Sequence, residues 1–246
     1  MSKKQKQQEN ADQMALPVPG VNHKAGTFEP LVPMNKLQAT YILACQSDPV
    51  VICTGVLGSS KTYIPVMIGA DLLRDKRIQK LVIARPTEGK AASTGFNKGS
   101  LNEKLAGWCA PCTETLKKRL GTGNFEAYLA NGRIELLSLE QCKGRTFDDA
   151  FVIIDEAEDL DPLVAKCLVT RQGTNTTTVI AGDIAQKDIK SWSGLDILLK
   201  VAPLSPGLRI SHIDFDSWDY CVRSDEAKAW GQGFEAFDKL CAAEHK

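Results

Sequence analysis

No stretch of this sequence stays apolar long enough to span a bilayer, and neither sign of charge is in excess, since thirty Lys and Arg balance thirty Asp and Glu. The first absence argues against a membrane protein. The second removes the global electrostatic footprint of a protein that coats nucleic acid without specificity, so any nucleic-acid surface must be local. Histidine is scarce: His23, His212 and His245 are the only ones, and none lies at ligand spacing from the single CxxC, Cys109-Ala-Pro-Cys112. With no second CxxC, a zinc centre is not expected. The eight cysteines (45, 53, 109, 112, 142, 167, 221 and 241) lack the short regular spacing of a secreted disulfide scaffold and fall mostly inside apolar segments. Reduced structural thiols are the simpler expectation. The leading MSKKQKQQENADQ carries no apolar core of a secretory signal, which adds to the expectation of a cytoplasmic location.

What the chain does have is a rhythm. Residues 1–30 are rich in Gln, Lys, Asn and Pro with scattered apolar residues, and are expected to be a disordered polar tail. From there to residue 246 one α/β domain is expected. Short β-branched runs at 50–53, 81–84, 134–137, 151–154, 178–181 and 210–213 alternate with amphipathic stretches. Near-continuous apolar strands separated by helical segments predict a parallel sheet sandwiched by helices. Residues 88–132 are long for one crossover and punctuated by glycine, so a helical insertion is expected there, with one helix around 114–120. Several predicted strands end in chemically useful residues: Gly55, Arg85, Asp155-Glu156 and Gly182-Asp183. Open α/β sheets bind ligands at those carboxyl ends.

The most informative of these junctions is VVICTGVLGSSKT at 50–62, a buried strand running into Gly55-Val56-Leu57-Gly58-Ser59-Ser60-Lys61-Thr62. Small residues let successive backbone N–H groups face phosphate oxygens. Lys61 adds a point charge near the β- and γ-phosphates, and the Thr62 hydroxyl suits Mg²⁺ at a helix N-terminus. The P-loop pattern G-x-x-x-x-G-K-[ST] is met except at Ser60, which stands where the second glycine belongs. Taken alone, such a loop is also an ordinary strand–turn–helix junction. Downstream, FVIIDEAE at 151–158 ends an apolar strand in paired carboxylates. Asp155 is placed to hold the Mg²⁺ shell and Glu156 to polarise an attacking water. The same residues would also serve as an acidic helix start. A third strand tip, TVIAGDIAQKD at 178–188, presents Gln186 as a candidate sensor of the γ-phosphate or the lytic water. Three compatible strand tips are harder to explain as three unrelated turns.

These segments, with Ala84-Arg85-Pro86, Gly95-Phe96, Gly99, Leu101, Glu103, Lys104, Gly144-Arg145-Thr146, residues 168–173, Ser193-Gly194-Leu195, Phe215, Asp219 and Val222-Arg223, make the chain resemble the PhoH family over about residues 33–225. The ATPase domain of that family is similar to the first RecA-like domain of superfamily-1 helicases. The resemblance implies ATP binding and hydrolysis with Mg²⁺, a role on RNA or single-stranded nucleic acid, and assembly into homo-oligomeric rings, commonly hexamers. It also implies an arginine supplied in trans, for which Arg145, Arg171 and Arg223 are candidates; Arg223 is equally a candidate in-cis sensor. Gln38 resembles the glutamine with which related helicases read adenine, an amide offering one donor and one acceptor. Arg85, Lys90, Lys98, Lys104 and Lys143 are candidate backbone contacts for nucleic acid, although dispersed basic residues in a neutral chain are commonly solvated surface. Besides Ser60, one departure stands out: Glu158 replaces the glutamine usual after Asp-Glu-Ala, adding a negative charge near the site. A nucleotide-controlled assembly module with slow hydrolysis is the competing reading. A small-molecule kinase is disfavoured by Glu156 and Gln186, which belong to hydrolysis.

Overall fold

The computed structural model describes residues 29–86, 109–187 and 191–244. Almost all of the expected polar tail, the first part of the expected insertion, and Lys90, Lys98 and Lys104 lie outside the described residues. Six strands form one all-parallel sheet: β1 (Val50–Gly55), β2 (Lys80–Arg85), β3 (Ile134–Ser138), β4 (Ala150–Ile154), β5 (Thr177–Ala181) and β6 (Ile210–Phe215), in the order β3-β2-β4-β5-β1-β6. Each predicted run is a strand, because a strand buried on both faces has no polar alternation to disguise it.

The helices are α1 (Lys36–Ser47), α2 (Tyr63–Arg74), α3 (Ala110–Leu120), α4 (Thr122–Ala130), α5 (Pro162–Val169), α6 (Gly194–Val201) and α7 (Asp225–Glu244). Successive strand residues face opposite ways. Val51, Cys53, Leu81, Ile83, Phe151 and Ile153 therefore meet α1 to α4, while Ile52, Val82, Ala84, Val152, Ile154 and Ile180 meet α5 and α6. The result is the parallel sheet sandwiched by helices that the pattern predicts, consistent with the RecA-like fold that the resemblance implies. Helices α3 and α4 are the described part of the insertion, and the helix expected at 114–120 begins earlier, at Ala110.

Local chemistry sets several helix starts. Asn35 caps α1 by accepting from Gln38 N at 2.9 Å. Asp161 caps α5 ahead of Pro162, and Ser193 with Asp196 forms a capping box on α6. Arg119 of α3 donates from Nε and Nη2 to the two carboxylate oxygens of Asp71 on α2, at 2.8 and 2.6 Å. That bidentate pair holds α3 beside α2, and with it one wall of the cleft described below. The last helix, α7, is tied to the turn at Trp218, whose indole donates to Glu235 at 2.6 Å, and leaves Trp230, Phe234, Phe237 and Leu240 exposed. Among the described residues no helix is long and apolar enough to cross a membrane.

Candidate nucleotide site

The carboxyl ends of β1, β2, β4 and β5 open into one cleft of about 410 Å³, within the range of small-molecule sites. The strand order explains the shape. With β5 between β1 and β4, the loop after β1 and the acidic tip of β4 stand two strand spacings apart, roughly 10 Å. Yet the two meet through side chains: Thr62 Oγ1 donates to Asp155 Oδ1 at 2.5 Å, joining positions 93 apart in sequence. Thr62 sits at the N-cap of α2 without capping it, because its hydroxyl is committed to Asp155. A hydroxyl and a carboxylate paired at a helix N-terminus are hard oxygen donors, the set that Mg²⁺ takes alongside phosphate and water.

The loop is held from three sides. Gly55 has φ +124°, and a Cβ there would lie 2.3 Å from the Phe215 carbonyl oxygen, which also accepts from Val56 N at 2.9 Å. Only glycine fits between β1 and the end of β6. Val222 N donates to Gly58 O at 3.1 Å, bringing Arg223 beside the loop and into the cleft wall. From α1, the buried Tyr41 donates its hydroxyl to Lys61 O at 2.7 Å. Lys61 Nζ donates to the Gly55 and Val56 carbonyls at 2.6 and 2.8 Å, and Ser59 Oγ donates to Val56 O at 2.9 Å. Leu57, Gly58, Ser59, Ser60, Lys61 and Thr62 all line the cleft.

Ser60 adopts φ +74°, the left-handed conformation that a glycine takes without penalty. The substitution therefore leaves the loop's backbone path intact and loads it with strain of roughly 1–2 kcal/mol. Glycine returns about 0.4–1 kcal/mol of that through the freer unfolded chain. Ser60→Gly is expected to stabilise the protein by about 0.5–1 kcal/mol, read as a higher urea midpoint at unchanged slope. A lower midpoint would mean that the serine side chain earns its place by a contact.

At the β4 tip, Glu156 also has a left-handed backbone, φ 55°, strain of a kind concentrated at functional sites. Arg85, at the tip of β2 and 14% exposed, faces both acids: its Nε lies 3.3 Å from Asp155 Oδ2, and its Nη2 donates to Glu156. Arg85 thus belongs to the cleft and not to an outer nucleic-acid surface, because β2 and β4 are neighbours and end level with each other. Burial raises the Asp155 carboxyl above its ordinary range, opposed by Arg85 and by the Thr62 hydrogen bond. Gln186 stands at the rim, its amide donating to Asp183 at 2.6 Å.

The surroundings of Glu158 disfavour the negative charge that its sequence position suggests. Its side chain is buried at 3% exposure and accepts from Asp183 N at 2.9 Å. Burial first, then the facing Glu156, push its carboxyl up to about 8, which favours its neutral form.

Five sequence candidates do not line the cleft: Gly55 and Val56, which form the base of the loop, and Gln38, Arg145 and Arg171. Gln38 is buried with both amide atoms engaged: Oε1 accepts from Met34 N at 2.8 Å and Nε2 reaches Ser59 O at 3.4 Å, a long contact that steadies the loop. Arg145 pairs with Glu135 at 2.6 Å and lies over the Phe147 ring. Arg171 is exposed after α5, next to Gln172, which donates to Pro49 O at the opposite end of β1 from the loop. Sequence reasoning missed Tyr41 as a support and α3 as a wall, where Pro111, Cys112 and Thr115 line the cleft. Nothing in a lone tyrosine on a helix signals the first. All eight cysteines are free. Burial pushes Cys109 up to about 11 and raises Cys112 further, which disfavours the thiolate at both positions.

A family model described as PhoH-like protein matches residues 30–234. The PhoH-like protein of Bacillus subtilis (strain 168) is 33% identical over 204 residues, 82% of this chain and 62% of that protein. Protein PhoH of Escherichia coli (strain K12) is 31% identical over 172 residues, 69% of this chain and 49% of that protein. The chain thus spans less than two thirds of the length of either relative. Among solved structures, the Pif1 helicase from Candida albicans aligns at 16% identity and a TM-score of 0.40, over 77% of this chain and 42% of that one, a likeness too loose to argue from.

Proposed function

The chain belongs to the PhoH-like family, and on that premise we propose that it binds ATP with Mg²⁺ and hydrolyses it, as a homo-oligomer acting on RNA or single-stranded nucleic acid. The observation that carries the nucleotide reading is the Thr62–Asp155 hydrogen bond, which unites the loop and the acidic strand tip in one cleft. Backbone N–H groups of residues 57–61 and the N-terminus of α2 receive the phosphates. Lys61 takes the charge that develops on the transferred phosphoryl group. Thr62 and Asp155 would hold Mg²⁺, which would supply charge neutralisation to the phosphates. Glu156 orients a water and accepts its proton, Gln186 meets the γ-phosphate side of the cleft, and Arg223 reaches the nucleotide from the loop's outer edge.

Assembly is supported by α7, on which the exposed Trp230, Phe234, Phe237 and Leu240 form an apolar strip. Arg171, exposed and remote from its own cleft, is available to a neighbouring copy, whereas Arg145 is held by Glu135 and Phe147. Mixing Lys61→Ala subunits with Arg171→Ala subunits should restore a fraction of the activity if Arg171 acts in trans. No recovery under conditions of subunit exchange, or full activity in a monomer by solution mass, would overturn the shared site.

The nucleic-acid partner rests on the family resemblance together with exposed basic residues such as Lys143. Single-stranded polynucleotide should raise ATP turnover at low salt, with the stimulation fading between roughly 50 and 200 mM salt as phosphate contacts are screened. Stimulation absent at low salt would favour the second reading, a nucleotide-controlled assembly module with slow hydrolysis. One observation speaks for that reading: the Arg85–Glu156 ion pair engages the carboxylate that hydrolysis needs free.

A further inference from the structure

Glu158 lies in the single turn Ala157–Asp159 directly after the acidic tip of β4, and it faces two functional strand tips at once. One carboxyl oxygen accepts the backbone N–H of Asp183 at the end of β5, at 2.9 Å in a buried setting. The carboxyl also shares a hydrogen bond with the Glu156 carboxyl. The fit on the β5 side is tight: a Cβ at Gly182 would come within 2.7 Å of Glu158 Oε2 and 2.8 Å of Leu195 Cδ2. Asp183 in turn accepts from the Gln186 amide at 2.6 Å. A continuous chain of contacts therefore runs from Glu156 through Glu158 and Asp183 to Gln186.

We propose that Glu158 is a positioning residue for hydrolysis, its carboxyl group clamping the tip of β4 to the tip of β5 so that Glu156 and Gln186 face the same point of the cleft. The inference rests on the ATPase reading above. Two carboxyl groups share a hydrogen bond only while one keeps its proton, and the buried one keeps it. In that form Glu158 does what an amide would do: its O–H donates to Glu156 while its other oxygen accepts from Asp183 N. Loss of the proton removes the donor and sets a second negative charge against Glu156. The charged groups around it are Glu156 and Asp155 on its own segment, Asp183 just after β5, Arg85 on β2, and Lys61 and Arg223 across the cleft. Arg85 is already engaged with Asp155 and Glu156.

The folded protein therefore holds a proton that the unfolded chain releases in the ordinary carboxylate range. The stability this contributes is fully present at acidic pH and is lost as pH rises through about 8. The test compares wild type, Glu158→Gln and Glu158→Leu in two measurements. In thermal unfolding from pH 6 to 9, wild type should lose stability toward alkaline pH, and Glu158→Gln, which cannot titrate, should lose that part of the slope. In ATP turnover, wild-type kcat should fall on the alkaline side near pH 8, and Glu158→Gln should hold its rate there. Glu158→Leu should lose kcat by ~10²-fold, the scale of a misplaced general base, with KM for ATP little moved. An identical alkaline loss in wild type and Glu158→Gln overturns the assignment of the proton, and wild-type kcat in a folded Glu158→Leu overturns the positioning role. If wild type shows no ATP turnover at all, the ATPase reading fails, and the positioning role with it. The unfolding comparison then still decides whether Glu158 holds the proton that ties the two tips.

Discussion

Lys61→Ala is expected to lower ATP turnover by ~10²–10³-fold or more, with the far-ultraviolet spectrum and the unfolding transition staying close to those of wild type. The magnitude is that of removing one preorganised donor from a transition-state charge. The geometry supports assigning it to Lys61: the ammonium is held over the loop by the Gly55 and Val56 carbonyls, and its own carbonyl is fixed by Tyr41, so the charge is delivered on a rigid mount. The fold should tolerate the change, because Lys61 is only half-buried and the loop keeps its ties to Phe215, Val222 and Tyr41. Full turnover in a correctly folded Lys61→Ala protein would remove the P-loop from the mechanism.

The second large effect separates binding from chemistry. Glu156→Gln keeps the size of the side chain and one acceptor oxygen but cannot accept a proton, so turnover should fall by ~10²–10⁴-fold with ATP and Mg²⁺ binding retained. Thr62 and Asp155, which would hold the metal, are untouched by the change. The substitution also loses the ion pair with Arg85, but at 46% exposure of the glutamate that pair contributes little to stability. The measurements are turnover and equilibrium binding of a fluorescent ATP analogue. Binding lost together with turnover would instead make Glu156 part of the metal or structural framework.

Arg85 shows how a correct residue can be read into the wrong place. As a basic residue after an apolar run it resembles a surface contact for nucleic acid. The register of β2 with β4 puts it against Asp155 and Glu156 instead, and adjacency of strands far apart in sequence is not written locally.

The sequence by itself determined the six strands, their parallel arrangement and the end of the sheet at which the site lies, because a strand buried on both faces must be apolar along its length and its first polar residues mark its tip. It also determined the loop at 55–62, whose small residues and Lys61-Thr62 need no tertiary context to be legible. Only the tertiary structure decided that β5 stands between β1 and β4, that Thr62 reaches Asp155 across it, and that Arg145 and Arg171 lie outside their own cleft. It also decided the two departures from the family pattern, and for the same physical reason. Whether Ser60 is tolerated depends on a backbone angle, and whether Glu158 is charged depends on burial and on a second carboxyl group, both set by neighbours that the folded chain brings together.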